Sequence, residues 1–292
     1  MELKYVVENL STYQNINQIL INHFRISTRL LNKLIKNHLI YKNFEIADTR
    51  ESISIGDIIT INLNYNEDNS NIIPTKMPLD IIYEDDWFII INKPAGMPVH
   101  PSTLHYTDSL SNGVRYYFDS INLKKKIRPV NRLDLNTSGI VIFAKSEYIQ
   151  EQLSYQMKED ILKKEYICFI NGSLDKKSGI IDLPIARKDG SIIERCIDNT
   201  GQKSITIYEV LRKYDKYSKV RCLLKTGRTH QIRVHFSHIG HPLLGDTLYG
   251  FSSNFIDRQA LHSYKVSFIH PITLEHLSFI APIPDDMANL DI

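Results

Sequence analysis

One carboxylate stands in a setting that could support chemistry. Asp134 closes the segment Arg132-Leu-Asp134, and Thr137-Ser138-Gly139 and the apolar run 140–144 follow it, which predicts a turn that enters a buried strand. Five cations closely precede the acid, namely Lys124, Lys125, Lys126, Arg128 and Arg132. This setting suits an acid that works beside a polyanion rather than one that binds a metal ion. The alternative is an ordinary loop aspartate that caps its own turn.

A second segment, residues 225–250, concentrates cations and histidines. A strand is predicted to end at Gly227 and a helix to begin at Thr229, so the Arg228 side chain and the first helical amides suit a phosphate or a carboxylate. His230 and Arg233 lie three residues apart on one helix face. The segment has no His-x-x-x-His pair and no cysteine, so we predict no metal site and expect its histidines to be structural or to contact RNA.

A third segment, Lys164 to Gly172, has the alternating pattern of a strand closed by a glycine turn. Tyr166 lies in this segment and would by default be a cross-strand packing residue. Beside an aspartate and an unstacked base, its ring could stack and its phenol could exchange a proton. The residues alone leave both interpretations open.

The composition describes a folded protein without a strong excess of charge. The 292 residues are 42% hydrophobic and 23% charged with a formal net charge of +2, so affinity for nucleic acid depends on where the cations lie. The length allows one large core or a large and a small domain, and we favour the second. The separated cysteines are expected to be reduced thiols, and the lack of an apolar signal or membrane segment predicts a cytoplasmic protein.

Residues 12–63 are predicted to form the small domain. Ser27 is the expected N-cap of a helix from Thr28 to about Asn37. On this helix Arg29, Lys33 and Lys36 share one face, and no acidic residue occurs between positions 14 and 44. The three cations form either an RNA-binding stripe or a solvated helix face.

Residues 64–78 are polar, rich in Asn and hold two prolines, which is typical of a linker. The large domain is then predicted over residues 79–292. Its strand candidates are 87–92, 139–144, 165–171, 204–211, 219–225, 264–269 and 277–281, and its helix candidates are 108–118, 147–158 and 229–239. This order predicts an α+β fold with much antiparallel strand.

Five segments, taken in order, resemble the pseudouridine synthases of the RluA/RluD family. They are residues 92–100, 132–139, 164–172, 227–250 and 260–271. Residues 26–29 and 56–57 also resemble, more weakly, parts of an N-terminal S4 RNA-binding domain. The resemblance implies an α+β protein in which a small S4-type domain precedes a large mixed, mainly antiparallel sheet domain of the pseudouridine synthase type with a central catalytic cleft.

The resemblance also assigns roles to residues of this chain. It implies that Asp134 is the catalytic aspartate, that Tyr166 contacts the uracil ring and that an arginine of the segment 228–233 pairs with the aspartate. Of the two arginines there, we favour Arg233. The residues expected to contact RNA are Arg132, Arg228, His230, Asn131, Arg29, Lys33 and Lys36.

Two of these assignments carry a further expectation. Arg132 would occupy the space that the flipped nucleotide leaves. Asn131 departs from the family, which often has histidine before Arg-Leu-Asp. An amide can hydrogen-bond the RNA or a loop but cannot titrate near neutral pH.

The implied reaction is an isomerisation of uridine to pseudouridine. The C1′–N1 bond breaks, the uracil turns over, C5 bonds to C1′ and the C5 proton leaves. No cofactor and no metal are expected, because positioned side chains suffice. Asp134 would be either the nucleophile at C1′ or the base that gives a glycal, and the residues leave both routes open.

The expected partner is RNA, with ribosomal RNA favoured and transfer RNA next, and the protein is expected to be a monomer. One competing hypothesis is a non-catalytic S4-type RNA-binding protein. Another is a glycosidase, which would require two carboxylates around one bond. Only Asp246 is available as a weak second acid.

Overall fold

A computed structural model describes residues 1–291, and its N-terminal unit is a four-stranded antiparallel sheet that carries helices. In spatial order the strands are β1 (Glu2–Val6), β4 (Ile58–Asn62), β2 (Ile40–Lys42) and β3 (Glu45–Ile46). The unit begins at β1 and therefore ahead of the predicted start at residue 12, because β1 pairs with β4 along its whole length. Glu2 and Lys4 alternate with the inward-facing Leu3, a pattern of a half-buried strand.

The helices of this unit follow their sequence signals. α1 (Ile16–Gln18) continues as a wider helical turn over Ile19–His23, and α2 spans Thr28–Lys36. Ser27 caps α2, since its Oγ accepts a hydrogen bond of 3.2 Å from the Leu30 N–H. The predicted cap and helix are confirmed.

The large unit is built on a ten-stranded mixed sheet. Its main path, in spatial order, is β10 (Ser178–Asp182), β13 (Ile205–Lys213), β14 (Tyr217–Leu224), β9 (Lys163–Asn171), β15 (Leu261–Ile269), β8 (Ser138–Ala144), β6 (Phe88–Lys93) and β5 (Ile81–Glu84). Two further strands pair at its sides, β7 (Arg128–Pro129) with β8 and β16 (His276–Ile280) with β15. In the part of the chain that the structure describes, every pairing in this sheet is antiparallel except that of β8 with β15. The predicted mixed, mainly antiparallel sheet is confirmed.

Helices cover the sheet, and a small hairpin stands beside it. The helices are α3 (Leu110–Ser120), α4 (Glu147–Lys158), α5 (Gln231–His238) and α6 (Asp285–Ala288), the last followed by a 3₁₀ turn over Asn289–Asp291. The hairpin consists of β11 (Ile185–Arg187) and β12 (Arg195–Ile197). α5 begins at Gln231 and not at Thr229, because His230 adopts a left-handed backbone conformation with φ 58°. No helix of residues 1–291 has the length and apolar character to cross a lipid bilayer.

The two units share one core. A single cluster of buried apolar side chains includes Leu20 and Leu34 of the N-terminal unit and Ile149 and Leu153 on α4. The connecting residues 64–78 contain no helix or strand, as their composition predicts. They nevertheless pack against the large unit, where Asn69 and Ile72 are buried. The connection is therefore an ordered part of the fold.

Candidate active site

A cleft of about 420 Å³ opens beside the turn between β7 and β8. Its volume is in the range typical of ligand pockets, about 300–1,000 Å³. Three segments that are distant in the chain converge there. The residues singled out from the sequence that line it are Asn131, Arg132, Asp134, Tyr166, Arg228, His230 and Arg233.

The backbone around Asp134 is tightly fixed. The Thr137 N–H donates a 3.1 Å hydrogen bond to the Asp134 carbonyl oxygen and closes a turn, after which the chain enters the fully buried β8. Gly139 has φ +108°, and a Cβ there would lie 2.3 Å from the Ser263 carbonyl oxygen of the parallel neighbour β15. Only glycine fits at this close approach of β8 to β15. The turn therefore presents the Asp134 side chain, 24% exposed, at the cleft.

A buried lysine braces the same turn. Lys93 ends β6, and its Nζ donates hydrogen bonds to the carbonyl oxygens of Pro94 (2.8 Å), Met97 (2.7 Å) and Leu135 (3.0 Å). Burial lowers the pKa of Lys93 to about 7, although the Asp134 charge opposes this shift. Sequence reasoning assigned Lys93 no role of its own. Its bonds tie the Pro94–Met97 loop to the residue that follows Asp134.

Arg233 on α5 links two carboxylates. Its Nη1 lies 3.2 Å from Asp134 Oδ2. Its other edge donates two hydrogen bonds to Asp246, from Nε to Oδ2 (2.7 Å) and from Nη2 to Oδ1 (2.8 Å). Burial opposes the charge on Arg233, but the two carboxylates outweigh burial and raise its pKa. Asp246 thus holds the charged guanidinium by two hydrogen bonds, and a third nitrogen of Arg233 points at Asp134.

Asp246 is an anchor for Arg233 and does not face the cleft. It is 1% exposed and also accepts the backbone N–H groups of Leu248 (3.1 Å) and Tyr249 (3.2 Å). It is absent from the residues that line the cleft. The glycosidase hypothesis is therefore wrong, because Asp134 is the only acid among the described residues that line the cleft.

His230 approaches the other oxygen of Asp134. Its Nε2 lies 3.8 Å from Asp134 Oδ1, and its Nδ1 lies 2.7 Å from the Tyr249 phenol oxygen. Burial lowers the pKa of His230 and Arg233 adds to this effect, whereas Asp134 opposes it. The imidazole is therefore neutral near pH 7.

Tyr166 forms part of the cleft from β9. It is buried and lies opposite Ser263 of β15 in the sheet register. Burial raises the pKa of Tyr166 to about 12, and the nearby Asp134 charge acts in the same direction. The phenol is thus protonated at physiological pH, so it can donate a hydrogen bond but is not a base.

Both polar atoms of the Asn131 side chain hydrogen-bond to the backbone of β8. Its Nδ2 donates to the Ile140 carbonyl oxygen and its Oδ1 accepts from the Ile142 N–H, both at 2.9 Å. The amide thus replaces a peptide group beside β8, where β7 ends. Its acceptor and one donor already bind β8, and its contact with RNA stays a prediction. An amide is suited to this place since it offers a donor and an acceptor side by side.

The predicted stripe on α2 is interrupted. Lys33 Nζ lies 2.9 Å from Glu67 Oε1 and 3.2 Å from Glu147 Oε2, two acids that come from distant parts of the chain. The Lys33 ammonium is therefore paired within the protein, and its contact with RNA stays a prediction. The Arg29 side chain stays 87% exposed although it approaches Glu147, and Lys36 is exposed.

Two cations of the run before Asp134 are also bound by groups of the protein itself. Arg128 binds Glu67 through both terminal nitrogens, at 2.6 and 2.7 Å. Lys125 is 2% exposed and donates to the carbonyl oxygens of Leu63 and Tyr65. Burial opposes the ionisation of Glu67, but Arg128 and Lys33 outweigh it and lower the pKa of Glu67 to about 2. The exposed members of the run are Lys124, Lys126 and Arg132.

Two of the histidines after the cleft serve the fold. His235 is fully buried, and its ring bonds to Thr206 Oγ1 (2.9 Å) and to the Leu183 carbonyl oxygen (3.0 Å). His241 Nδ1 lies 2.9 Å from the Asn171 carbonyl oxygen. Within residues 1–291, no three His, Cys, Asp or Glu side chains come together as a possible metal site.

Comparisons with known proteins identify the family of this chain. A family model described as RNA pseudouridylate synthase matches residues 87–238. The chain is 39% identical over 248 residues to an uncharacterised RNA pseudouridine synthase of Bacillus subtilis, covering 85% of this chain and 88% of that relative. It is 36% identical over 269 residues to ribosomal large subunit pseudouridine synthase D of Neisseria meningitidis, covering 88% of this chain and 72% of that relative.

A solved structure is also similar. Human RNA pseudouridylate synthase domain containing 1 matches with a TM-score of 0.58 and 27% identity, covering 70% of this chain and 83% of that chain. The chain therefore belongs to the RNA pseudouridine synthase family. It is an isomerase that acts on RNA, which confirms the predicted activity over the hypothesis of a non-catalytic RNA-binding protein.

Proposed function

We propose that the enzyme isomerises uridines of ribosomal RNA and that Asp134 is its catalytic residue. The observation that carries this proposal is the partly exposed Asp134 carboxylate in the cleft, 3.2 Å from a guanidinium that the buried Asp246 holds. A carboxylate must stay ionised while largely sequestered from water, and Arg233 supplies the compensating charge.

The target uridine has to leave the RNA stack to reach this carboxylate, which costs a few kcal/mol. In the proposed complex Tyr166 packs against the flipped uracil and offers a protonated phenol, and Arg132 fills the vacated place. Arg132 is exposed and lines the cleft, which supports this role. The C1′–N1 bond then breaks with Asp134 at the sugar, the turned uracil bonds to C1′ through C5, and C5 loses its proton to solvent.

The RNA is proposed to continue from the cleft to the N-terminal unit. Arg228 is exposed at the cleft, and a second groove of about 270 Å³ lies beside β7 at the seam between the units. Arg29 and Lys126 line this groove and both are exposed. We infer that residues 2–63 act as an S4-type RNA-binding domain, that 64–78 connect it and that the catalytic domain starts at 79.

Ribosomal RNA is the proposed substrate for two reasons. Relatives at 31 to 36% identity carry the name ribosomal large subunit pseudouridine synthase D. The exposed cations of both units also suit a large structured RNA. Such a substrate agrees with the cytoplasmic, monomeric enzyme predicted from the sequence.

Pseudouridine mapping tests this substrate. We expect cells that lack the gene to lose pseudouridine at one or more ribosomal RNA positions, and the purified enzyme to restore these positions and release tritium from 5-tritiated uridine in that RNA. Loss confined to transfer RNA would overturn the ribosomal assignment. A catalytically inactive copy carrying Asp134→Asn is the matched control for restoration.

Variants on α2 test the RNA path. Arg29→Ala combined with Lys36→Ala should weaken RNA binding and reduce the slope of log affinity against log salt by about 1 to 2, because each lost phosphate contact contributes about 0.7 to 0.9. Lys33→Ala is the matched variant on the same helix. We expect it to lower the free energy of unfolding by about 1 to 2 kcal/mol, because it leaves Glu67 and Glu147 with one partner fewer.

Salt-dependent RNA binding and chemical denaturation measure these two effects separately. An unchanged salt slope in the Arg29/Lys36 variant would mean that this helix face is only solvated surface. A larger slope change for Lys33→Ala than for that pair would contradict the assignment of Lys33 to the interface.

A further inference from the structure

Tyr249 connects three parts of the active site. Its ring centroid lies 5.0 Å from Arg233 Cζ, and its phenol oxygen lies 2.7 Å from His230 Nδ1. Its backbone is held on both sides, since its N–H donates to Asp246 Oδ1 (3.2 Å) and its carbonyl oxygen accepts from Ser237 Oγ (2.6 Å). The phenol therefore has a fixed place beside the imidazole.

The hydrogen bonds of this phenol determine where its proton goes. The Arg195 N–H of β12 donates to the Tyr249 oxygen at 2.8 Å and uses one of its lone pairs. A phenol carries a single proton to donate. Among residues 1–291 the acceptor within hydrogen-bond distance of it is His230 Nδ1. In the arrangement proposed below, Tyr249 donates to Nδ1, and the neutral imidazole carries its own proton on Nε2.

This tautomer matters because Nε2 faces the catalytic carboxylate. Nε2 lies 3.8 Å from Asp134 Oδ1, and Arg233 Nη1 lies 3.2 Å from Asp134 Oδ2. Two donors on separate oxygens would fix the rotation of the carboxyl group about its Cβ–Cγ bond once both lie within hydrogen-bond distance. The opposite tautomer would direct a lone pair at Oδ1 and repel it.

We propose that Tyr249 is a positioning residue that fixes the tautomer of His230, so that an imidazole N–H group faces Asp134. This inference rests on the proposed catalytic role of Asp134. The 3.8 Å separation exceeds a hydrogen bond in the free enzyme, and it shortens when RNA fills the cleft, since catalytic hydrogen bonds often tighten only in the substrate complex. A neutral donor orients the carboxylate and leaves its charge available for the reaction.

Nitrogen-15 NMR of the histidine side chains tests the tautomer directly. The His230 signals are those that disappear in His230→Gln. In the wild-type enzyme without RNA we expect a protonated Nε2 and an unprotonated Nδ1, and in Tyr249→Phe a mixture of both tautomers. A protonated Nδ1 in the wild type, or an unchanged spectrum in Tyr249→Phe, would overturn the proposal.

Kinetics test its consequence. Tyr249→Phe keeps the ring on Arg233 and removes only the hydroxyl, so we expect kcat to fall about 10- to 100-fold with KM changed less than about threefold, as for a misoriented catalytic group. Tyr217→Phe is the matched control, because it removes a phenol bonded to the Leu290 carbonyl oxygen (3.0 Å) outside the cleft. The Tyr217→Phe variant should lower only the free energy of unfolding and leave kcat unchanged.

A double variant distinguishes a positioning role of Tyr249 from a general loss of activity. In His230→Gln the amide offers a neutral donor that does not depend on Tyr249, so adding Tyr249→Phe should reduce kcat by less than about twofold more. Independent, multiplicative losses would contradict coupling through His230. Failure of the proposed function is distinguishable from failure of this inference, because Asp134→Asn would then retain turnover whatever the NMR spectra show.

Discussion

Asp134→Asn is expected to reduce pseudouridine formation by about four orders of magnitude or more while RNA affinity changes less than about threefold. The amide has the shape of the carboxylate and keeps an oxygen that can accept from Arg233. It has no negative charge and therefore can neither attack C1′ nor remove a sugar proton. Single-turnover release of tritium from 5-tritiated uridine in RNA measures the reaction, and equilibrium binding measures affinity.

Asp215→Asn is the matched control for the lost charge. Asp215 is exposed and lies outside the cleft, so this variant should turn over at the wild-type rate. Substantial turnover by Asp134→Asn would remove Asp134 from its proposed role, whatever the family membership of the chain.

Arg233→Ala should have the second largest effect, a fall in kcat of about 10³-fold with a small change in RNA affinity. The variant also leaves the buried Asp246 carboxylate without its bidentate partner, which should cost about 3 to 5 kcal/mol of stability. Kinetics and denaturation of the same preparation measure the two losses.

Two further variants separate the chemical role of Arg233 from its role in folding. Adding Asp246→Asn to Arg233→Ala removes the unpaired buried charge and should recover stability without recovering activity. Arg233→Lys keeps a positive charge but cannot bind Asp246 bidentately, so kcat should stay at least about 10-fold below wild type. Recovery of activity together with stability in the double variant would show that Arg233 acts only on the fold.

Local patterns predicted most of the secondary structure for physical reasons. α2 combines an N-cap at Ser27 with buried leucines at helical spacing, and β8 is a continuous apolar run, as expected of a strand buried on both faces. β1 escaped prediction because charged residues alternate with few apolar ones in a short segment. Its strand character depends on pairing with β4, more than fifty residues later.

The active site could be predicted from the sequence only in part. The proximity of Asp134 and Arg233 could be anticipated from the family resemblance and from the need to offset a sequestered charge. Asp246 and Tyr249 could not be assigned, because their roles consist of hydrogen bonds that exist only after α5 has packed. The ion pairs of Lys33 could not be predicted, because charges near in sequence say nothing about Glu147, which α4 brings to it.

The ion pairs that join Lys33 and Arg128 to Glu67 help to hold the two units in a fixed relation. With the two units held in place, the protein sets the distance between the exposed face of α2 and the Asp134 carboxylate. In the proposed complex, a uridine would be selected by its distance from a neighbouring feature of the folded RNA as well as by the bases around it. Inserting or deleting a base pair between the two would move a good target out of register.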